Sequence, residues 1–134
     1  MKITWIGHAV VLLQGSKTII IDPFLTENPS ASMKVDDLPH IDVVIATHDH
    51  FDHFSDAVVV AKKFNAPLIT VFDTTQTPAV VESGIATVGM NIGGTYRGIE
   101  GLEISLTPAV HTGNPTGVVV KMDGKTVYHA GDTA

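Results

Sequence analysis

The chain has 134 residues, with fourteen acidic and eight basic side chains for a net charge of −6, and 44% of it is hydrophobic. That is one domain's length with enough apolar content for a packed core, which excludes an intrinsically disordered chain. The acidity excludes a broad cationic surface for nucleic acid, and the absence of cysteine excludes disulfides, thiolate metal sites and cysteine nucleophiles.

From the N-terminus, Lys2–Gly7, Ala9–Gln14 and Thr18–Ile21 read as strands, the last two joined by Gly15-Ser16-Lys17. The apolar start superficially suggests a secretion signal, but Gly7-His8 interrupts it and no small-residue cleavage site follows. No apolar run approaches the roughly 18 residues needed to span a bilayer, so no membrane partner and a cytoplasmic location are expected. Asp22-Pro23 ends the third strand, and residues 23–40 lack periodicity and read as a loop. Ile41–Ala46 is short and almost wholly apolar, the pattern of a strand buried on both faces. Ser55 is the expected cap of a helix running to Phe64, Pro67–Val71 another buried strand, and Thr74 or Thr75 the expected cap of a second helix ending near Ser83 and Gly84.

Beyond Gly84 the pattern becomes β-rich. Ala86–Val88, Thr95–Gly98, Leu102–Thr107, Gly117–Met122 and Thr126–His129 are short strands, and Asp123-Gly124 marks a tight hairpin between the last two. No repeat or interdomain linker is visible. Strands, then a strand–helix–strand–helix unit, then more strands predict an α/β (α+β) chain, β-rich with two helices on one side of its sheets.

The chemistry is concentrated in Thr47-His48-Asp49-His50-Phe51-Asp52-His53, at the end of a buried strand and before a helix. Ligand sites of α/β sheets gather at such strand ends. Three imidazoles and carboxylates within six positions suit zinc, iron or manganese better than calcium or magnesium. A polar loop that merely capped a helix would need one Asp or Ser, not three histidines. His111, just past a predicted strand, and Asp132, in Ala130-Gly131-Asp132-Thr133, would alone be an ordinary histidine and an ordinary turn residue. Both gain weight from the cluster, which by itself supplies too few ligands for two metals. His40 and His129 read as structural or surface residues, and Gly93-Gly94 lacks the strand–loop–helix context of a phosphate loop.

These stretches, with Trp5-Ile6-Gly7-His8, Ile21-Asp22-Pro23-Phe24 and Asn91-Ile92-Gly93-Gly94-Thr95, carry a resemblance. The sequence resembles the metallo-β-lactamase-fold superfamily, and within it the small metal-dependent hydrolase group related to the ascorbate-phosphate lactonase-like branch. The likeness runs along the whole chain and is most specific at Thr47–His53.

The resemblance implies the N-terminal part of an αββα sandwich with a two-metal site. It places His48, His50 and His111 on one divalent ion, Asp52 and His53 on a second, and Asp132 between them. Zinc is the first expectation, with manganese, iron or nickel compatible. Asp22 would support the metal-binding loop through hydrogen bonds, and His8 would line the pocket. The implied activity is hydrolysis of a small ester, lactone or phosphoester-type substrate by a metal-activated hydroxide, with Asp52 as the catalytic proton acceptor. A redox role with di-iron and flavin, also known on this fold, would need a second flavin-binding domain.

The departure is length. Relatives consist of two similar halves and take a further second-metal histidine from the C-terminal one. Residues 1–134 therefore read as an incomplete domain whose end, at Gly131-Asp132-Thr133-Ala134, reads as cut. The alternative function is a catalytically incomplete fragment that binds one metal. In either case Val118–Val120 and Val127 are expected to lack covering neighbours, so pairing with a C-terminal segment or with a second copy is expected.

Overall fold

Strands made wholly of apolar residues need cover on both faces, and two such runs organise the architecture. In the computed structural model, which describes residues 1–134, β1 (Lys2–Gly7), β2 (Val10–Gln14), β3 (Thr18–Ile21), β4 (Val43–Ile45), β5 (Leu68–Val71) and β6 (Thr87–Met90) form one sheet in that order. The first three strands are antiparallel and β3 to β6 run parallel. The parallel crossovers carry four short helices: α1 (Phe51–Phe54) and α2 (Ala57–Phe64) after β4, then α3 (Phe72–Thr75) and α4 (Pro78–Ser83) after β5. A second, antiparallel sheet has the order β10 (Lys125–His129), β9 (Thr116–Met122), β8 (Leu102–Pro108), β7 (Thr95–Tyr96).

Alternation along the central strands decides the layers. Ile20, Val44 and Leu68 face one way, into a core closed by Ala57, Val60 and Ala61 of α2 and Val80 of α4. Their neighbours Ile19, Ile21, Val43, Ile45 and Ile69 face the other way, onto Leu102, Ile104, Leu106, Val118, Val120 and Met122 of the second sheet. The order is therefore helices, sheet, sheet, with the all-apolar strands in the middle.

Several expectations are corrected. Each predicted helix comes as a pair of short ones. Ser55 closes α1 instead of opening α2, whose first flanking residue is Asp56. The Asp56 carboxylate is engaged elsewhere: it accepts hydrogen bonds from Leu25 N at 2.6 Å, Thr26 N at 2.9 Å and Thr26 Oγ1 at 2.8 Å, which fastens the 23–40 loop. Thr77, not Thr74 or Thr75, precedes the second long helix, because Pro78 is preset for a first helical position. Gly84 ends that helix with φ +73° as expected. Asp123 and Gly124 both take positive φ, the geometry of a tight hairpin turn.

The larger correction concerns Val118 and Val120. Both are fully buried between the sheets, and Val127 is half-buried against the same core. The outward face of the second sheet instead carries Glu103, Ser105, Thr107, Val119, Lys121 and Tyr128, a largely polar set that strand alternation alone puts there.

The two-sided burial of β3 is testable. Ile19→Ala and Ile20→Ala should each cost about 2–5 kcal/mol in urea unfolding, because each empties a different packed layer. A loss below about 1 kcal/mol for Ile19→Ala would mean that the second sheet does not cover that face.

Candidate metal centre

β3 and β4 lie side by side and parallel, so the residues that follow them leave the sheet together. Asp22, next after β3, donates its backbone N–H to Ile45 O at 2.9 Å. It adopts a left-handed backbone, φ +53°, which Asp tolerates better than most residues, and its side chain is wholly buried. That carboxylate receives three hydrogen bonds. Thr47 N donates to Oδ1 at 2.7 Å, while Thr47 Oγ1, at 2.6 Å, and His53 Nδ1, at 2.8 Å, both donate to Oδ2.

The protons in this network are determined by exclusion. The Thr47 hydroxyl has one proton and gives it to Asp22, so the 2.9 Å contact between Thr47 Oγ1 and His48 Nδ1 has the imidazole as donor. His48 and His53 therefore both carry a proton on Nδ1, which leaves Nε2 as the nitrogen each ring offers to a cation. Those two Nε2 atoms are buried and have no hydrogen-bond partner.

Other donors converge on the same place. His48, His50 and His111 bring ligand atoms within 4.8 Å of one another, with His50 Nδ1 and His111 Nε2 3.2 Å apart. Asp52, in the first turn of α1, lies with its Oδ2 3.8 Å from His53 Nε2. Asp132 Oδ2 is 3.0 Å from His53 Nε2, 3.7 Å from His48 Nε2 and 3.6 Å from His111 Nε2, so one carboxylate oxygen faces both groups. Asp22, His48 and His53 also cluster, but Asp22 meets the protonated side of His53 and is engaged by three hydrogen bonds of its own.

The second sheet delivers its residues by direct bonds to the first. Thr116 donates from both its N, at 3.0 Å, and its Oγ1, at 2.6 Å, to Thr47 O. Gly131, φ +62°, leads into Asp132, and a Cβ there would lie 2.5 Å from Thr116 O, so only glycine permits this turn. Val110, beside His111, is tied to the same segment, donating to Thr133 Oγ1 at 2.9 Å and accepting from Ala134 N at 2.9 Å.

Electrostatics favour a cation here. A bare lone pair on His53 Nε2 faces a carboxylate oxygen at 3.0 Å without a hydrogen bond between them, an arrangement relieved by positive charge. Burial opposes a charge on His53, but the Asp22 hydrogen bond and the charges of Asp22, Asp132 and Asp52 outweigh it and raise its pKa. Burial, reinforced by His53, lowers the pKa of His48 and keeps that ring neutral. For Asp52 burial also opposes ionisation, yet His53 and a hydrogen bond from His8 hold its carboxyl below the usual range. The Nε2 atoms of His48 and His53, further histidine nitrogens and two carboxylates form a donor set suited to divalent ions such as zinc.

The structure thus brings His48, His50, Asp52, His53, His111 and Asp132 into one cluster, with Asp22 beneath it and His8 at its rim. His40 lies apart, 3.4 Å from Asp42. Sequence reasoning missed Thr47, whose hydroxyl links Asp22 to His48, and Thr116, which ties it to the second sheet. It also missed the task of His129, which accepts from Gly131 N at 3.0 Å and, through Nε2, donates to Ala9 O at 2.8 Å. A hydroxyl directly before the first ligand was the one visible hint.

Residues 17–134 match the beta-lactamase superfamily domain. A UPF0173 metal-dependent hydrolase of Pyrococcus furiosus is 42% identical over 141 residues, and one of Pelotomaculum thermopropionicum is 44% identical over 146. Each alignment takes in 99% of this chain and 62% of the relative, so the chain spans less than two thirds of these relatives' length. Among solved structures, Igni18, a metallo hydrolase from Ignicoccus hospitalis, superposes with a TM-score of 0.86 at 34% identity, over 98% of this chain and 60% of that one. An isothiocyanate hydrolase from Delia radicum gut bacteria superposes at 0.78 with 27% identity, over 100% and 64%.

Removing the Asp22 charge should misorient the buried imidazoles without deleting any ligand. Asp22→Asn is expected to weaken zinc binding about 10–100-fold in a chelator-competition titration, and affinity equal to wild type would show that the network does not orient the ligands.

Proposed function

We infer the activity from one premise: the chain belongs to the beta-lactamase superfamily. The proposed function is metal-dependent hydrolysis of a small ester, lactone or phosphoester-type substrate, at two divalent cations, zinc in the first instance. The observation that carries it is the pair of buried, partnerless Nε2 lone pairs of His48 and His53 facing Asp132. His48, His50 and His111 would hold one cation, Asp52 and His53 the other, and Asp132 would serve both. Cations held there would lower the pKa of a water and polarise the carbonyl or phosphoryl oxygen under attack.

The chain's own residues supply the rest. Asp52 is ionised at neutral pH, so its carboxylate can accept the proton of the attacking water and return it to the leaving group. Asp22 and Thr47 hold the imidazoles in one tautomer, so no side-chain proton must move before substrate binds. Phe51 and Val110, exposed apolar side chains next in sequence to His50 and His111, are the proposed contact surface for the uncharged part of a substrate. The net charge of −6 argues against a polyanionic nucleic acid in this role.

No helix is long and apolar enough to cross a membrane, and a cytoplasmic location is proposed with the rest. The greater length of the relatives supports a further proposal: a C-terminal segment equivalent to their remaining part, or a second copy, completes the domain and its substrate cleft.

The test is a hydrolysis screen over esters, lactones, phosphodiesters and, given one structural neighbour, isothiocyanates, on protein loaded with zinc, manganese or iron. Activity should vanish on chelation and return with metal. Asp52→Asn and His50→Ala should each lower turnover by about 10²-fold or more with unchanged circular dichroism. Turnover that survives either substitution would refute the assignment.

A further inference from the structure

The β1–β2 turn is a two-residue hairpin, His8-Ala9, entered through an irregular pairing. The pairing register shifts between Trp5 and Gly7, and Gly7 takes φ +139° where a Cβ would lie 2.5 Å from Ser30 O. His8 then adopts φ +57°, the left-handed backbone that the first residue of a two-residue hairpin turn takes and that His tolerates better than most residues. The turn is held from both sides. Trp5 Nε1 donates to His8 O at 2.8 Å, and His129, on the strand that leads to Asp132, donates to Ala9 O at 2.8 Å.

The result of this construction is the placement of one imidazole. His8 stands edge-on to Phe24 at 5.7 Å and to His53 at 5.3 Å between ring centres. Its Nε2 lies 2.9 Å from Asp52 Oδ2, and Asp52 is the only hydrogen-bond partner of its side chain. Ligand atoms of His8, Asp52 and His53 all fall within 4.8 Å of one another. Donors at about 2.0–2.1 Å from a tetrahedral ion stand roughly 3.3 Å apart. The observed separations, 2.9 Å from His8 to Asp52 and 3.8 Å from Asp52 to His53, bracket that value, and Asp132 adds a fourth atom 3.0 Å from His53.

We propose that His8 is a protein ligand of the second cation, so that His8, Asp52, His53 and Asp132 form a four-donor site drawn entirely from this chain. The inference rests on the two-cation reading above and deepens it. With His8, residues 1–134 supply four donors to the second site, and the β1–β2 turn becomes a wall of the reaction centre. The competing role for His8 is a hydrogen bond that merely steadies Asp52, and the two roles differ in what happens to the metal.

The experiment is a titration of the metal-free chain with zinc, and in parallel with cobalt, against a competing chelator, for wild type and His8→Asn. Asparagine tolerates the left-handed backbone but is too short to take the imidazole's place. Wild type should bind two equivalents. In His8→Asn the first should bind as in wild type, which also reports an intact fold, while the second weakens at least tenfold and its cobalt absorption changes. A measurement on wild type alone avoids the variant: cadmium-113 loaded at the second equivalent should show scalar coupling to the His8 ring protons.

Two equivalents bound by His8→Asn with wild-type affinity, or absence of that coupling, would each overturn the inference and leave the hydrolase reading standing. A wild type that binds one cation only would overturn the inference together with the two-cation reading. A wild-type chain that binds no cation would overturn the reading itself.

Discussion

The site depends on one buried carboxylate. Asp22 has no access to water, and a charge in that position is tolerated only because three donors surround it. Hydrogen bonds to a charged group contribute about 1.5–3 kcal/mol each, so this cluster is also a structural anchor between the ends of β3 and β4. Its chemical consequence is larger than its share of stability. By accepting from Thr47 and His53, Asp22 decides which nitrogen of His53, and through Thr47 which nitrogen of His48, keeps a free lone pair. Ligand orientation and proton placement are thus determined from beneath the site, by a residue that touches none of the open donor atoms.

The fold makes this arrangement possible because parallel strands end together. Asp22 and the Thr47–His53 loop leave the same sheet edge, so residues 25 positions apart in sequence meet at hydrogen-bond distance. The second sheet is then attached at the same edge by Thr116 to Thr47, which brings His111 and Asp132 over the loop. Packing between the sheets and donor placement at their rim are therefore one structural problem: a shift of β9 relative to β4 would move Asp132 away from His48 and His53.

The donors are held close together by the fold. Lone pairs and carboxylates held within 4.8 Å of each other repel, and the folded core must impose that proximity. Positive charge between the donors relieves that repulsion. The same proximity also explains why the histidines differ. Desolvation keeps His48 neutral, whereas the carboxylates around His53 draw positive charge to it, whether as a proton or as a cation.

Much of this was legible in the residues alone. The spacing of His48, His50, Asp52 and His53 carries a chemical meaning that few other arrangements share, and the apolar runs Ile19–Ile21 and Val43–Ile45 declare strands covered on both sides. Their local order is written in the chain because side-chain alternation and turn chemistry act over a few residues. The helix starts were misplaced because Ser55 and Thr74 are acceptable caps locally, while the true boundaries were decided by Pro78 and by the demand of Leu25 and Thr26 for the Asp56 carboxylate. Val118 and Val120 were expected to be bare, since the sequence does not state that the first sheet leaves a whole face for them. What only the tertiary structure decided is every relation that spans the sheets: His129 to Ala9, Thr116 to Thr47, and His8 to Asp52. Such contacts join residues 44 to 120 positions apart, and no local preference encodes them. They follow from how two sheets, each with its own alternation, settle against one another.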